Sequence, residues 1–529
     1  MYQTGVMPHA EKTECLNPGN GEVIGHSMIH SPEEVAGLIA QAREAQPEWQ
    51  ALSVKERAKM ISKIQPYMVD HMDQLAETVA RDNGKTRIDA LASEIFPGIA
   101  ALSYYCKKAK SFLKDRTLGP GSLLLINKRS KIIRVPHGVI GIISPWNYPF
   151  SIPFSEVIMG LLAGNCVILK AATETQLAGL ALNECIQTAG LPRGVFTYIN
   201  MRGSQASKTL LDNHVDKLFF TGSVGVGKQL SQLATKTLTP VCLELGGNDA
   251  MLVCEDADLY RAASGAIWAG FQNAGQSCGG VERIYVHETV YQSFLSILKQ
   301  KTEALRVGYD TDFSMDIGCM TTLRQVDTVK HHVDDALAKG AVIYAQAKGP
   351  KNTDSPYFVA PMVLTQVDHT MLVMSDETFG PVMGVMKVKT MDEAVELAND
   401  STLGLTCSVW SKNRKNAEGL ARQIKTGVAT INDHLMSHAL AETPWGGPKE
   451  TGGGRTHGDI GFAEMTYPQV LVHDYYTPPA RKNLWWHPFS LPVYEGLKGA
   501  VQFFYGSKLG SRIMGGLKLL RVLPRMLKP

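Results

Sequence analysis

The chain has 529 residues, 44% of them hydrophobic, and its 53 Lys and Arg nearly balance its 50 Asp and Glu, a composition typical of a globular protein with more than one domain. Its nine cysteines are odd in number, scattered and never spaced Cys-x-x-Cys, so neither a disulfide framework nor a metal site is indicated. Residues 1–12 hold no apolar signal-peptide core, and no run of about 18 apolar residues occurs, so we predict a cytoplasmic protein without a membrane-spanning helix.

The opening of the chain is predicted to be mostly helical. Residues 31–115 are rich in Ala, Glu, Lys, Gln and Leu, and Ser31-Pro32-Glu33-Glu34 is a typical helix start. Between 122 and 144, apolar runs are interrupted at 127–130 and 136–138. This pattern predicts a hairpin that leads into a buried strand, Val139–Ile143.

From residue 166 onward, short apolar strands alternate with helices, and a second alternating block runs from 248 to about 440. Strands separated by helices indicate a parallel sheet covered by helices, so the predicted fold class is α/β. In the first block the predicted strands are 166–169, 195–199, 217–220 and 241–244, and the predicted helices lie at 175–188, near 204–212 and from 225.

Three stretches with polar residues or glycines directly follow predicted strands, at the edge where open α/β sheets bind ligands. Asn147 in Pro145-Trp146-Asn147-Tyr148-Pro149 could donate to an oxyanion, although an Asn between prolines also caps turns. The glycine turn at 220–227 offers backbone N–H groups to phosphate, which is a weak signal alone. Glu244 precedes Leu245-Gly246-Gly247 and could also be a solvated strand end.

One cysteine lies in a stretch that makes a poor core strand. Cys278 stands among the small residues and amides of 271–280, between Gly275 and Gly279, and a predicted strand follows at 281–286. Such a thiol would be accessible to substrate and is a candidate nucleophile. The alternative is that it is one more small buried residue.

Taken in order, these stretches resemble the aldehyde dehydrogenase superfamily from about residue 15 to about 475. Lys170, Glu377-Thr378-Phe379-Gly380-Pro381, 444–449 and 452–455 also match that family's motifs. The resemblance implies an aldehyde dehydrogenase-like fold that assembles as a homodimer or homotetramer. Its implied parts are a Rossmann-type NAD(P)-binding domain at 1–120 and 139–245, an α/β catalytic domain at 246–462, and an oligomerisation segment at 121–138 and 463–477.

The resemblance also implies a reaction, the oxidation of an aldehyde to a carboxylic acid. Cys278 would attack the carbonyl, and the Asn147 amide with the Cys278 backbone N–H would hold the oxyanion. After hydride transfer to the cofactor, Glu244 would activate the water that hydrolyses the thioester. Ile152 and Ser155 look to be substrate-tunnel positions, small enough to leave the tunnel wide.

The cofactor is expected to be NAD or NADP. Family members that prefer NAD carry a glutamate three residues after the lysine, where it binds the adenine ribose; this chain has Thr173 there and Glu174 one place on. The choice between the two cofactors therefore stays open. The cofactor contacts that the resemblance implies are Ile143, Ser144, Pro145, Trp146, Lys170, Thr173, Gly222, Ser223, Gly227, Leu245, Gly246, Glu377 and Phe379.

Two other functions compete with this one. An enzyme that transfers the acyl group to coenzyme A would need no water-activating base, and Glu244 argues against it. A catalytically silent scaffold has no reason to keep Cys278, Glu244 and Asn147 together. No nucleic-acid partner is predicted.

The last part of the chain, 478–529, is predicted to be a basic amphipathic extension. Residues 481–529 carry nine Lys or Arg and one acid, Glu495, with Trp485 and Trp486 near the start. The extension could pack on a neighbouring subunit or cover the substrate entrance. It could instead lie on an anionic membrane and bring the enzyme to long-chain, lipid-derived aldehydes. Four residues at helical spacing form its apolar stripe: Leu509, Ile513, Leu517 and Leu520.

Overall fold

A computed structural model describes residues 11–475 and 479–528. The chain divides into two compact units, Met1–Phe112 with Pro136–Thr466, and Leu113–Val135 with Tyr467–Pro529. The boundary that we predict within the first unit, between a cofactor-binding and a catalytic domain, stays a prediction.

The two lists that follow give the regular elements of the described residues. The strands are β1 Lys12–Leu16, β2 Val23–Met28, β3 Arg116–Leu118, β4 Lys128–Pro136, β5 Val139–Ile143, β6 Cys166–Lys170, β7 Phe196–Ile199, β8 Lys217–Thr221, β9 Val241–Glu244, β10 Asp249–Val253, β11 Val281–His287, β12 Val342–Gln346, β13 Met362–Thr365, β14 Val382–Val388, β15 Thr406–Trp410, β16 Val428–Ile431, β17 Gly452–Gly453 and β18 Thr466–Asp474. The helices are α1 Pro32–Ala51, α2 Val54–Ile61, α3 Ile64–Asp70, α4 Met72–Asn83, α5 Arg87–Ala90, α6 Phe96–Phe112, α7 Ser151–Ala163, α8 Gln176–Gln187, α9 Gly203–Asp212, α10 Val224–Ala234, α11 Leu259–Phe271, α12 Tyr291–Glu303, α13 Leu323–Ala338, α14 Leu372–Ser375, α15 Met391–Asn399, α16 Arg414–Ala421, α17 Gly458–Glu464, α18 Leu491–Tyr505 and α19 Leu509–Val522.

The helical opening forms as its sequence indicates. Ser31 caps α1 in a capping box with Glu34, the reciprocal pairing that satisfies two backbone N–H groups at a helix start. The hairpin prediction is wrong in detail, because Leu123–Leu125 form a single 3₁₀ turn and β4 pairs with β3 instead. The apolar run in this turn stays largely exposed and so lacks the burial that would favour a strand.

The strands predicted in the first alternating block pair in the six-stranded sheet of the first unit. Its order is β17-β9-β8-β5-β6-β7, with β5 to β9 parallel and β17 antiparallel to β9. Because parallel strands end at the same edge, Ile143, Lys170, Thr221 and Glu244 meet there. This is the edge at which the sequence predicts ligand binding.

A seven-stranded sheet in the same unit carries the second alternating block. Its order is β12-β13-β14-β11-β10-β15-β16, parallel except for β12 against β13. The interior strand β10 is buried along its whole length between β11 and β15, which suits its near-continuous apolar sequence.

The second unit contains a three-stranded sheet in the order β18-β4-β3 and a helical hairpin made by α18 and α19. Within the described residues, no helix is both long and apolar enough to cross a membrane.

Candidate active site

The loop that presents Cys278 is held in an unusual backbone conformation. Asn273 and Ala274, between α11 and β11, both have φ of 53°, a region that costs energy for residues other than glycine. Neighbouring side chains and backbone fix the loop, since the Asn273 amide donates to the Asn147 carbonyl at 2.9 Å and Gln276 Oε1 accepts from Thr321 N at 2.8 Å. Such strain is typical of functional sites. Cys278 itself is half-buried.

Asn147, just after β5, faces the same loop. Its side chain is 3% exposed, and Nδ2 donates to the carbonyl oxygen of Gln276 at 3.1 Å. An amide nitrogen carries two hydrogens, so this bond leaves the second one for another acceptor. Asn147 therefore lies beside the backbone that leads into Cys278.

A buried ion pair that the sequence reasoning missed supports Asn147. Lys85 Nζ lies 2.6 Å from Glu94 Oε1 and donates to the Asn147 carbonyl at 2.9 Å. The other oxygen of Glu94 accepts from the backbone N–H groups of Phe150 and Ser151 at the start of α7. Glu94 lies in a π-helical turn, Leu91–Ile95, a rare feature that often occurs at functional sites.

Glu244 ends β9 with a carboxylate that makes no hydrogen bond to the described residues. It is 5% exposed and lines a small cavity together with Cys278, Glu156 and His457; we call this the Glu244 cavity. Burial raises the pKa of Glu244 well above its usual value; Glu156 raises it further, and Arg455 opposes the shift. Burial also raises the pKa of Glu156 to about 8. A carboxylate with a raised pKa is suited to accept a proton.

The thiol of Cys278 has a strongly raised pKa. Burial is the main cause, and the carboxylates of Glu377, Asp249 and Glu244 add to it. Because the thiolate is the nucleophilic form, this site needs a group that takes the thiol proton or a positive charge that stabilises the thiolate.

The residues predicted to contact a cofactor lie along the sheet edge. Lys170 ends β6; its ammonium is buried without an ion pair among the described residues, and burial lowers its pKa while Glu174 opposes the shift. Thr173 is half-buried and Glu174 exposed. Ser144 donates its backbone N–H to the Lys170 carbonyl at 3.1 Å, in a stretch where Ile143 is buried and Pro145 and Trp146 are half-buried.

The glycine turn leads from β8 into α10, whose N-cap, Ser223, makes no side-chain capping bond. Gly222 donates its N–H to the Glu244 carbonyl at 3.0 Å, and a Cβ on Gly227 would lie 2.6 Å from the Leu245 side chain. The helix start therefore packs closely against the strand that carries Glu244. The free N–H groups of its first turn can receive phosphate.

Glu377 and Phe379 complete this side of the site. Glu377 accepts from the Gly247 N–H at 2.9 Å, and a Cβ on Gly246 would collide with its carboxylate. Burial raises the pKa of Glu377 well above its usual value. Phe379 has φ of 51° and packs edge-on against Trp146, with ring centroids 5.5 Å apart.

An apolar cleft opens at Cys278. The predicted tunnel residue Ile152 lines it, but Ser155 is buried and does not. Among the described residues none of its lining is Lys or Arg, and its one acid is Asp89. The other lining residues are Ala92, Ser93, Pro97, Tyr148, Trp268, Gln272, Ser277, Gly279, Leu435, Met436, His438, Ala439 and Trp445.

Residues 6–471 match the Aldehyde dehydrogenase family. The chain is 38% identical over 492 residues to 4,4'-diapolycopene aldehyde oxidase of Methylomonas sp, covering 93% of this chain and 91% of that protein. It is 35% identical over 445 residues to a Mycobacterium ulcerans protein with the provisional name succinate-semialdehyde dehydrogenase [NADP(+)] 2, covering 84% of this chain and 85% of the relative.

The chain is also similar to solved structures of related enzymes. An Escherichia coli NADP-dependent enzyme superposes with a TM-score of 0.83 at 31% identity, covering 88% of this chain and 95% of that one. The NAD+ complex of an aldehyde dehydrogenase from Bacillus cereus superposes with a TM-score of 0.83 at 28% identity, covering 88% and 93% of the two chains.

The chain belongs to the aldehyde dehydrogenase family. Three predictions are confirmed: the family, its fold, and an oxidoreductase that uses NAD or NADP. The roles that we assign to individual site residues stay predictions.

Proposed function

We propose that the chain oxidises an aldehyde to a carboxylic acid, with Cys278 as nucleophile, Glu244 as base and Asn147 as oxyanion donor. The observation that carries the proposal is the position of Cys278, which lines both the apolar cleft and the Glu244 cavity. A substrate carbonyl held in the cleft would meet the thiol on one side, and water in the Glu244 cavity would reach the same carbon from the other.

In the proposed reaction the thiol of Cys278 gives its proton to water, and the thiolate sulfur forms a bond to the carbonyl carbon while the π electrons of the C=O bond move to the oxygen. The second hydrogen of the Asn147 amide and the Cys278 backbone N–H then donate to the oxyanion. When bound, NAD(P)+ accepts the hydride that leaves this carbon, and its positively charged nicotinamide ring favours the thiolate. Glu244 takes a proton from water as the water oxygen adds to the thioester carbon, and the bond to sulfur breaks, releasing the acid.

The sheet edge fits a dinucleotide in three respects. Within residues 11–475 and 479–528, Lys170 supplies a buried cation without an ion pair. The start of α10 supplies first-turn N–H groups that have no partner within the helix, and a Cβ on Gly225 would meet nothing within 4 Å, so that turn has space for a ligand. We propose Lys170 and Glu377 as ribose contacts. Relatives named for NADP and a relative solved with NAD+ leave the preference open.

Thr173→Glu is expected to shift the preference toward NAD by about fivefold or more, because a half-buried carboxylate would repel a 2′-phosphate and accept from ribose hydroxyls, an effect of roughly 1–3 kcal/mol. The ratio of kcat/KM for NAD and NADP measures it. Glu174→Gln is the matched control, since it removes the neighbouring exposed carboxylate. If Thr173→Glu left the ratio unchanged, Thr173 would not face the ribose.

For the substrate, we propose a neutral, apolar, long-chain aldehyde. A carboxylate at the far end of a substrate would be desolvated in the cleft, which the described residues line without a Lys or Arg to pair with it. Apolar substrate instead gains about 0.8 kcal/mol for each buried CH₂ group. Of the two relatives named above, the one named for 4,4'-diapolycopene aldehyde therefore suits this cleft better than the one named for succinate semialdehyde.

Decanal is expected to exceed succinate semialdehyde in kcat/KM by at least about a hundredfold, because the apolar cleft binds the alkyl chain and excludes the carboxylate. Butanal is the matched control for chain length without charge, and should fall between the two. A higher kcat/KM for succinate semialdehyde would contradict the proposed substrate class.

We also propose a homodimer or homotetramer. In the second unit, among the described residues, β18 lies at the edge of its sheet and exposes apolar side chains at Val470, Leu471 and Val472. An exposed apolar edge strand favours pairing with a second copy of the chain. We finally propose that the enzyme associates peripherally with a lipid surface, where long-chain aldehydes partition.

A further inference from the structure

The hairpin of α18 and α19 places its small residues inside. A Cβ on Gly499 would lie 2.6 Å from the carbonyl oxygen of Gly515, and a Cβ on Gly515 would lie 2.5 Å from that of Gly499. A Cβ on Gly496 would likewise collide with Val522. The two helices therefore cross with their backbones nearly in contact, which only glycine permits.

Val493 and Val522 are buried between the helices, with Leu497 and Leu519 packed against them, but most other large apolar residues of the same helices are outside. All four residues of the predicted stripe are exposed, from 48% at Leu517 to 74% at Leu509. Leu491 on α18 is 72% exposed, and its helix also exposes Tyr494, Val501 and Tyr505. Tyr505 accepts or donates a hydrogen bond to Ser122 at 2.8 Å, so the turn with the exposed residues Leu123 and Ile126 adjoins this face.

This arrangement departs from that of a helix pair in water, where most large apolar residues are buried and polar ones face the solvent, because more large apolar residues are exposed here than are buried. Small residues between helices and large apolar residues around them are typical of helix pairs in contact with lipid. Because neither helix is long enough to span a bilayer, the geometry suits a hairpin lying in the plane of the membrane interface.

Charge decides which partner fits the surface. The single acid of the extension, Glu495, is neutralised by Lys518 at 2.6 Å. Lys508, Arg512 and Arg521 are exposed on or next to α19 and border its apolar stripe. A second copy of this surface would bring like charges together, whereas anionic lipid headgroups would pair with them.

An aromatic loop adds to the same unit. Arg525 donates to the carbonyls of Leu484, Trp486 and Pro488 at 2.5–2.6 Å, which fixes the loop before α18. Trp486 and Phe489 in this loop are more than half exposed. Tryptophan beside basic residues is often found in proteins at the level of the lipid headgroups.

We propose that the exposed stripe of α19, with Leu491 and the bordering basic residues, is a docking surface for an anionic lipid bilayer. The apolar side chains insert below the headgroups, and the lysines and arginines pair with lipid phosphates. This surface rests on the proposed peripheral association with lipid and is separate from catalysis, so vesicle binding without substrate or cofactor distinguishes its failure from failure of the proposed aldehyde oxidation.

The experiment is co-sedimentation of the full chain with neutral vesicles of phosphatidylcholine alone and with anionic vesicles that also contain about 30% phosphatidylglycerol, to which basic residues are attracted. We compare wild type with Lys508→Glu/Arg521→Glu and with Ile513→Ser/Leu517→Ser. The matched controls are Lys330→Glu/Lys415→Glu and Leu238→Ser/Leu323→Ser, which change exposed residues of the first unit in the same way. All eight substituted residues are exposed. Thermal unfolding verifies that each variant folds.

Wild type and both controls are expected to bind anionic vesicles at least about tenfold more tightly than neutral ones, and less tightly as salt is raised. Each hairpin variant should lose most of this binding. Wild type that binds both vesicles equally, or hairpin variants that bind like wild type, would overturn the proposal. So would a hairpin variant that dissociates the oligomer in solution while vesicles leave wild type unbound, because the surface would then be a subunit interface.

Discussion

Cys278→Ala is expected to lower the rate of aldehyde-dependent NAD(P)+ reduction below about a thousandth of the wild-type rate. The bond between sulfur and the carbonyl carbon must form before hydride can leave, and alanine cannot form it. Cofactor affinity should stay within about twofold, since Lys170, Glu377 and the start of α10, which we propose as the dinucleotide site, are unchanged. Steady-state absorbance at the reduced nicotinamide band and cofactor titration by fluorescence measure the two effects.

Cys106→Ala is the matched control, because Cys106 is a half-buried free cysteine on α6, away from the cleft lining. Its turnover should equal that of wild type. Residual activity of Cys278→Ala above the stated level would show that another group is the nucleophile.

Glu244→Gln is expected to separate the two halves of the reaction. Glutamine occupies the same space in the Glu244 cavity but cannot take a proton from water, so hydrolysis of the thioester should slow by about a hundredfold or more. Rapid mixing should show a burst of about one reduced cofactor per active site and then a much slower steady rate. In wild type the steady rate should fall as the pH is lowered through the raised pKa of Glu244, because protonation removes the base.

Glu450→Gln is the control for this experiment, since Glu450 is an exposed carboxylate paired with Lys228 outside the cavity. It should keep the wild-type rate and pH profile. Loss of the burst itself in Glu244→Gln, with cofactor still bound, would mean that Glu244 is needed earlier, to remove the thiol proton of Cys278.

The sequence predicts well those features that depend on neighbouring residues. Strand ends set by apolar runs bring Lys170 and Glu244 to one sheet edge, because parallel strands must end together. The capping box at Ser31 and the exposed stripe that contains Leu509 and Leu517 are also local patterns. The apolar run at 122–126 misleads, because an apolar sequence predicts a strand only if some surface covers it.

The features that the sequence reasoning missed depend on partners far apart in the chain. Lys85 and Glu94 look like surface charges until the fold buries them against Asn147 and the start of α7. Glu156 raises the pKa of Glu244 because α7 lies beside the end of β9. The spacing of residues in the sequence does not predict this contact. In the sequence, the glycines of α18 and α19 only lower the predicted helix stability. In the structure they allow the two helices to cross with their backbones nearly in contact.

The central claim is that the acyl group passes through a thioester on Cys278. The most direct measurement is the mass of Glu244→Gln quenched in acid after one turnover with decanal and cofactor, followed by peptide mapping. We expect the protein to gain the mass of the aldehyde less two hydrogen atoms, on the peptide that contains Cys278 and on no other cysteine peptide. A protein without this added mass after a full burst of reduced cofactor, or with the acyl group on a different residue, would contradict the mechanism.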